Sequence, residues 1–352
     1  MTPSTSSHPA AESSGYGSAS LDDPLLLGEW FLVAWSEEIP LGRTLARRLL
    51  GRDLVLWRSG EGLHCWLDLC IHRGAKLSLG TVKHESDSAA ECLVCPYHAW
   101  EYASSGQCVR IPAHPGQAPP LKARAKVFHA AERYGVVWVC LGEPHAGPPE
   151  FEPAEAPGFR TVFAGPYRFR ALGPRVIENA LDVAHLGYVH ADLLGDPGRL
   201  EVEDYEVEDG PHGPEAKQIR IWQPNPDGTG HGALITYRYW VEGPLTMGFE
   251  KTGSQKPEDG RLFSVLAQVA PIDTEHSEMR MLMSMNYGHE VPAEELRAFQ
   301  DRVTEQDRAV VESQRPELLP LDLQAELHLR SDRMAIAYRK WLAKIGLRYG
   351  AA

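Results

Sequence analysis

The chain has 352 residues, enough for two domains of ordinary size, each able to bury a core of its own. It carries 35 Lys and Arg against 48 Asp and Glu, a net charge of −13, which argues against nucleic acid or an anionic membrane surface as a partner. Six cysteines are too sparse for a secreted disulfide framework, so they and the 15 histidines are left for packing, metal or redox chemistry.

In chain order, residues 1–20 contain no Lys, no Arg and no apolar run, and read as a disordered tail rather than a signal or transit peptide. The apolar stretch at 25–35 is well short of the roughly 20 residues a membrane span requires. A cytoplasmic protein without membrane association is expected. Segments 54–58, 63–69, 91–94 and 136–141 are rich in β-branched and aromatic residues between turn residues, so 21–150 reads as a small all-β domain. Pro144, Pro148, Pro149, Pro153 and Pro157 then mark an extended connection and a boundary near 150. Within 151–352, alternation at 218–223, 234–241, 262–270 and 279–285 predicts an antiparallel sheet, and 176–190, 293–314 and 331–344 have helical spacing. The second domain is therefore expected to be α+β. There is no internal repeat and no glycine loop suited to a nucleotide.

Cys70-Ile71-His72 and Cys95-Pro96-Tyr97-His98 offer two thiolates and two imidazoles on paired loops. That donor set suits a [2Fe–2S] cluster of the Rieske kind, two Cys on one iron and two His on the other. A structural zinc of the Cys₂His₂ type competes, as does a four-cysteine site using Cys65, Cys70, Cys92 and Cys95. Cys65 and Cys92, however, lie inside apolar strand patterns, and with Cys108 and Cys140 read as small buried hydrophobes.

A second constellation is Asn179, Asp182, His185 and His190. On a helix the first three share a face. His190 lies about 140° from His185 on an ideal helix, so both reach one metal only if the helix bends or ends, and Gly187 sits where it can. In the helix at 293–314, Asp307 falls on the stripe of Leu296, Phe299, Val303, Val310 and Val311. A carboxylate facing a core needs a partner. One reading is an ion pair with Arg175 or Arg220; the other is a 2-His-1-carboxylate site for Fe(II) made by His185, His190 and Asp307, with positions open for O₂ and substrate.

With these residues assembled, the chain resembles the Rieske non-heme iron oxygenases, in the monooxygenase and demethylase branch built from α subunits alone. The resemblance spans about 30–349 and rests on HRGAKLSLGTV at 72–82, CPYH at 95–98 with Trp100, the N-x-x-D-x-x-H-x-x-x-x-H motif at 179–190, ERYGVVWVCLGEP at 132–144, Glu305-Gln306-Asp307 and SDRMAIAYRKWL at 331–342. RIPAHPGQAPP at 110–120 and the stretch around Leu194-Gly195-Asp196 are most similar to saxitoxin-type alkaloid hydroxylases, with caffeine N-demethylases and vanillate-type O-demethylases more distant. Ala99 departs from the family, which usually has Gly after the cluster histidine; either φ there is negative or the loop is remodelled.

The resemblance implies an N-terminal all-β Rieske domain and a C-terminal antiparallel-sheet-and-helix domain of the helix-grip, START-like kind. Cys70, His72, Cys95 and His98 would hold the cluster, and His185, His190 and Asp307 the mononuclear iron. Asp182 would bridge His185 to His98 of a neighbouring subunit in a head-to-tail homotrimer, with Asn179 supporting the iron site. The implied activity is O₂-dependent hydroxylation of a C–H bond in a small, nitrogen-containing natural product. N- or O-demethylation by the same chemistry is the alternative, and a cluster-only electron-transfer or redox-sensing protein a third reading. Electrons would come from NAD(P)H only through a separate reductase or ferredoxin, because the chain has no flavin or nicotinamide fingerprint of its own. Arg220, Tyr237, Tyr239 and Trp240 are the candidates to contact a polar or heteroaromatic ring, though each reads first as a structural residue and the substrate contacts stay unknown.

Overall fold

The computed structural model describes residues 20–84, 91–224, 231–252 and 260–352. The tail expected over 1–20 lies outside these, apart from Ser20. After a single turn of helix, α1 (Pro24–Leu27), capped by the Asp23 side chain, the first half is all β. Its strands are β1 (Phe31–Trp35), β2 (Thr44–Leu49), β3 (Arg52–Ser59), β4 (Gly62–Leu67), β5 (Thr81–His84), β6 (Glu91–Val94), β7 (Glu101–Ala103), β8 (Cys108–Arg110), β9 (Val127–Arg133) and β10 (Val136–Cys140). They form an antiparallel six-stranded sheet, β1-β10-β9-β4-β3-β2, and a four-stranded one, β5-β6-β7-β8. Trp57 and Trp66 pack edge to face at 5.1 Å, in a core shared with Leu93, Tyr102, Cys70 and Cys95, so the cluster loops are anchored by aromatic burial.

The second half adds β11 (Arg160–Phe169), α2 (Gly173–Leu181), β12 (Glu206–Asp209), β13 (Pro214–Gln223), β14 (Ala233–Gly243), β15 (Thr246–Thr252), β16 (Leu262–Pro271), β17 (Ser277–Met285), α3 (Ala293–Ser313) and α4 (Arg333–Ile345). Its seven strands run β11-β17-β16-β15-β14-β13-β12, all pairings antiparallel. This is the expected sheet-and-helix layout. In β14 burial alternates without a break, turning Ile235, Tyr237, Tyr239 and Val241 inward, so one face of the sheet is a wall for α3 and the space beneath it. β15 escapes sequence recognition because Gly248 interrupts it. That glycine is required by packing, since a Cβ there would sit 2.1 Å from the Trp240 ring on β14. No helix among the described residues is long and apolar enough to cross a membrane.

The two halves share one continuous core, running from Leu26 and Val139 through Val176 and Met279 to Tyr349. Backbone bonds cross between them at Leu50 N to Pro271 O (2.7 Å) and Gly51 N to Ile272 O (3.0 Å). Gln268 of β16 reaches the Trp30 carbonyl at 2.7 Å and accepts from the Leu32 N–H. Asp23 accepts from Arg348 N and Tyr349 N, tying the start of the described chain to its end.

Behind α2 lies a charge network that the sequence gives no hint of. Arg339 of α4 grips both oxygens of Glu178 and also meets Glu326, while Arg175 binds Glu326 at 2.8 Å and the Pro316 carbonyl. Both arginines are 3% exposed. Such a network contributes little net stability when intact, but losing one partner strands a buried charge. Arg339→Met is therefore expected to destabilise the protein by about 3 kcal/mol. Urea unfolding followed by tryptophan fluorescence measures it, and adding Glu178→Leu should cost less than the sum of the single changes.

Candidate metal centres

Two loops, between β4 and β5 and between β6 and β7, repeat one backbone design. Cys70 N donates to Ala75 O and Gly74 N to Cys70 O; five-and-four residue spacing recurs in Cys95 N to Trp100 O and Ala99 N to Cys95 O. The positive φ that closes each loop falls on Gly74 (71°) and on Ala99 (55°). The loop thus keeps its shape without glycine, and Ala99 carries the strain; neither a negative φ nor remodelling occurs.

The loops present unlike donors on two sides. Cys70 and Cys95 are buried, with Tyr102 Oη 3.1 Å from Cys70 Sγ, whereas His98 is exposed and His72 half-buried. The two imidazoles meet at 4.6 Å between centroids, and His72 stacks on Trp100. Burial, and the neighbouring Cys70 against opposing N–H groups, hold the Cys95 thiol above its ordinary value, so a bound cation must drive its ionisation. Among the described residues, no three of these four donors converge to within 4.8 Å, as a single zinc would demand; the spread suits two irons with a sulfur pair and a nitrogen pair. Cys65 packs in the other core, away from Cys70 and Cys95, which removes the four-cysteine alternative. The donor set and its geometry fit a [2Fe–2S] group.

The second centre depends on where α2 stops. The helix expected over 176–190 ends at Leu181, because the Asp182 side chain takes the Ala184 N–H (2.8 Å) and its backbone turns extended. A turn of 3₁₀-helix, His185–Gly187, follows. The His190 carbonyl then accepts from Leu193, Leu194 and Gly195, folding the chain back. A Cβ on Gly195 would lie 2.3 Å from the Leu186 carbonyl, so only glycine permits that return.

His185 Nε2 and His190 Nε2 thereby come to 3.1 Å, and Asp307 Oδ1 of α3 stands 3.5 and 3.2 Å from them. This is the one group of three or more metal-capable residues, among those described, whose donor atoms all lie within 4.8 Å. Asp307 Oδ1 is buried without a hydrogen bond, and no arginine reaches it: Arg175 serves Glu178 and Glu326, and Arg220 pairs with Glu203. The ion-pair reading of Asp307 therefore fails. Val303 and Val311 flank it in the interior, but Val310 is 46% exposed, so the apolar stripe is narrower than expected. Of the outward ring nitrogens, His190 Nδ1 is held by Gln306 Oε1 at 2.9 Å, whereas His185 Nδ1 faces Asp182 Oδ2 at 3.6 Å, within ion-pair reach but without a hydrogen bond. Burial pushes His185 down, yet the neighbouring Asp182 carboxylate, joined by Asp307, lifts it above its ordinary value. Gln306 was not singled out, since its neighbour Asp307 points about 100° away on the helix and no pattern links the two. Asn179 lies beside the centre without bonding either histidine. Three convergent donors, one of them with its tautomer fixed by a hydrogen bond, fit a mononuclear divalent iron.

Comparison with known proteins agrees. Residues 29–127 match the Rieske [2Fe-2S] domain and residues 169–348, half the chain, the vanillate O-demethylase oxygenase C-terminal domain. Methylxanthine N1-demethylase NdmA of Pseudomonas putida is 30% identical over 306 residues, 86% of this chain and 82% of that protein. The chain is a Rieske oxygenase. Its structure superposes on NdmA with a TM-score of 0.76 at 27% identity, covering 91% of each chain, and on dicamba monooxygenase bound to dicamba at 0.75 and 25%, covering 91% and 97%. The oxidoreductase NdmD of Pseudomonas putida shares 35% identity over 124 residues, 35% of this chain and 20% of its own length. As a Rieske oxygenase the protein uses a [2Fe–2S] cluster and mononuclear iron to incorporate oxygen from O₂ into a small molecule with externally supplied electrons.

In this Rieske oxygenase a small chamber of about 90 Å³ adjoins His185, His190 and Asp307, walled by Tyr237, Tyr239, Phe249 and Met281. A larger cavity of about 740 Å³ shares Leu194, Tyr237, Phe249 and Gln300 with it. On the other side, a cleft of about 200 Å³ leads to Asp182. Of the four candidate ring contacts, Tyr237 and Tyr239 line the small chamber. Arg220 and Trp240 do not: Arg220 is exposed, and Trp240 lies on the outer sheet face under Arg238. Ala99→Gly should relieve the left-handed strain, raising stability by about 0.5–1 kcal/mol after glycine's entropy is discounted. A rise in the midpoint at which cluster absorbance is lost on heating checks this.

Proposed function

We propose that this Rieske oxygenase removes a methyl group from nitrogen or oxygen of a small ring compound. The observation that carries the reading is the His185, His190 and Asp307 centre opening on one side into an aromatic-walled chamber. The demethylase relatives support dealkylation over plain hydroxylation of an alkaloid. A cluster-only electron carrier would leave both the buried carboxylate and the cavity without purpose.

In this reading Cys70, His72, Cys95 and His98 hold the cluster in a first domain ending near 150, and His185, His190 and Asp307 hold the iron in a second. The iron, when bound, supplies O₂ activation. Tyr237, Phe249 and Tyr239 present the methyl to it and exclude water, while Gln306 fixes the ring orientation of His190 and the Asp182 carboxylate faces His185. The balance is R–CH₃ on nitrogen or oxygen, plus O₂, two electrons and two protons, giving R–H, formaldehyde and water. A separate NAD(P)H-dependent reductase or ferredoxin supplies the electrons. Asp182, more than one third exposed in its cleft, is the bridge to His98 of a neighbouring copy in a head-to-tail trimer. Exposed Ile71 and Tyr97 at the cluster tip, and exposed Tyr188 and Leu327 near the Asp182 cleft, supply apolar surface for that contact.

The wild-type protein is expected to contain about three irons per chain, two in the cluster and one mononuclear. With a supplied reductase and NADH, an N-methyl or O-methyl aromatic should yield one formaldehyde per NADH. Product heavier by one oxygen, with no formaldehyde, overturns the demethylase reading. His185→Ala or Asp307→Ala should bring iron down to about two while cluster absorbance persists and turnover ends. Asp182→Asn should keep all the iron but slow turnover by about 10- to 100-fold; unchanged turnover would discard the bridge.

A further inference from the structure

The larger cavity holds a cation with no anion beside it. Lys251 of β15 pairs across the sheet with Tyr237 of β14 and Phe263 of β16, and directly paired residues project from the same face. Tyr237 is on the inner face, so Lys251 is too. Its Nζ lies 4.9 Å from the Phe263 ring centroid, and among the described residues no carboxylate comes within ion-pair distance. The other charged residues lining the cavity, Arg261, Glu290, Glu295 and Arg302, are exposed at its mouth. Burial pushes the Lys251 ammonium down to about 8, so at neutral pH it is still mostly charged.

A second polar group inside the same cavity is also unsatisfied. Gln223 of β13 is fully buried and donates through Nε2 to Tyr237 Oη at 2.6 Å, leaving its amide oxygen without a partner. A polar group buried away from water is costly unless a partner or ligand completes it. Lys251 and Gln223 belong to the large cavity, and the metal-centre residues to the small chamber. Tyr237 and Phe249 border both. The fold therefore sets a cationic group in a cavity that adjoins the chamber of the metal centre.

We infer that Lys251, with Gln223, forms the polar end of the substrate site and selects a small aromatic methyl ether or methylamine bearing a carboxylate-type anion away from its methyl group. The methyl rests on the demethylase reading; the anion rests on the cavity alone.

Calorimetry on the iron-loaded enzyme tests it with 3-methoxybenzoate, 4-methoxybenzoate and 4-(methylamino)benzoate, each against its own primary amide. Wild type should bind the carboxylates about tenfold or more tightly than the amides. Lys251→Met, which keeps the apolar stem against Phe263, should abolish that preference, and Lys251→Arg should retain it. Gln223→Leu should weaken both members of each pair; if both are unchanged, Gln223 does not belong to the site. Preference that survives in Lys251→Met, or no carboxylate binding more tightly than its amide, absence of binding included, overturns the inference. Formaldehyde is measured separately: preference without formaldehyde removes the demethylase reading and leaves Lys251 assigned, whereas formaldehyde without preference removes only the role of Lys251.

Discussion

A carboxylate buried without an arginine is the constraint on which the catalytic half is built. Asp307 sits on the inner face of α3 with its buried Oδ1 unbonded, and among the described residues its ion-pair partners are two imidazole nitrogens. Leaving such a charge unpaired in a low-dielectric interior is prohibitive, so the position makes sense only with a cation between the three donors. The rest of the local structure holds those donors in place. Asp182 stops α2 at Leu181, Gly195 lets the chain double back to deliver His190, and Gln306 holds the outward ring nitrogen of His190 while the Asp182 carboxylate faces that of His185.

The same logic, with softer donors, shapes the cluster loops. Two short segments with one hydrogen-bond pattern place sulfur inward and imidazole outward, so a cluster held between them would face its surroundings on the histidine side. Burial beside Tyr102 and the two tryptophans keeps the sulfur side dry, which favours thiolate-to-iron bonding over solvent attack. Ala99 shows that the backbone pattern outranks local preference: a residue ill suited to positive φ accepts it because the closing bond to Cys95 demands it.

Between the centres and the substrate stands the regular alternation of β14 and its neighbours. An antiparallel sheet with one inner face converts sequence parity into chemistry, since every second residue meets the cavity. Tyr237 and Tyr239 fall on the inside and Trp240 on the outside for that reason alone. Lys251 follows the same parity, and thereby becomes a charge in an apolar space instead of one more solvated lysine.

The candidate ligand residues, among them the convergent His185, His190 and Asp307, were legible in the sequence because metal chemistry leaves a compact signature. Cysteine and histidine at fixed short spacings, and an acid on an apolar stripe, are improbable unless used. The all-β and α+β halves were legible from periodicity, which reads neighbours in the chain. Periodicity could not show β15 broken by Gly248, the early end of α2, the pairing of Arg339 with Glu178 or the support that Gln306 gives His190. Each of these joins residues far apart in sequence, or sets a side chain against its own local pattern. Only the tertiary structure, by closing the sheet over α3, decided which polar groups would be buried together and therefore what each of them must bind.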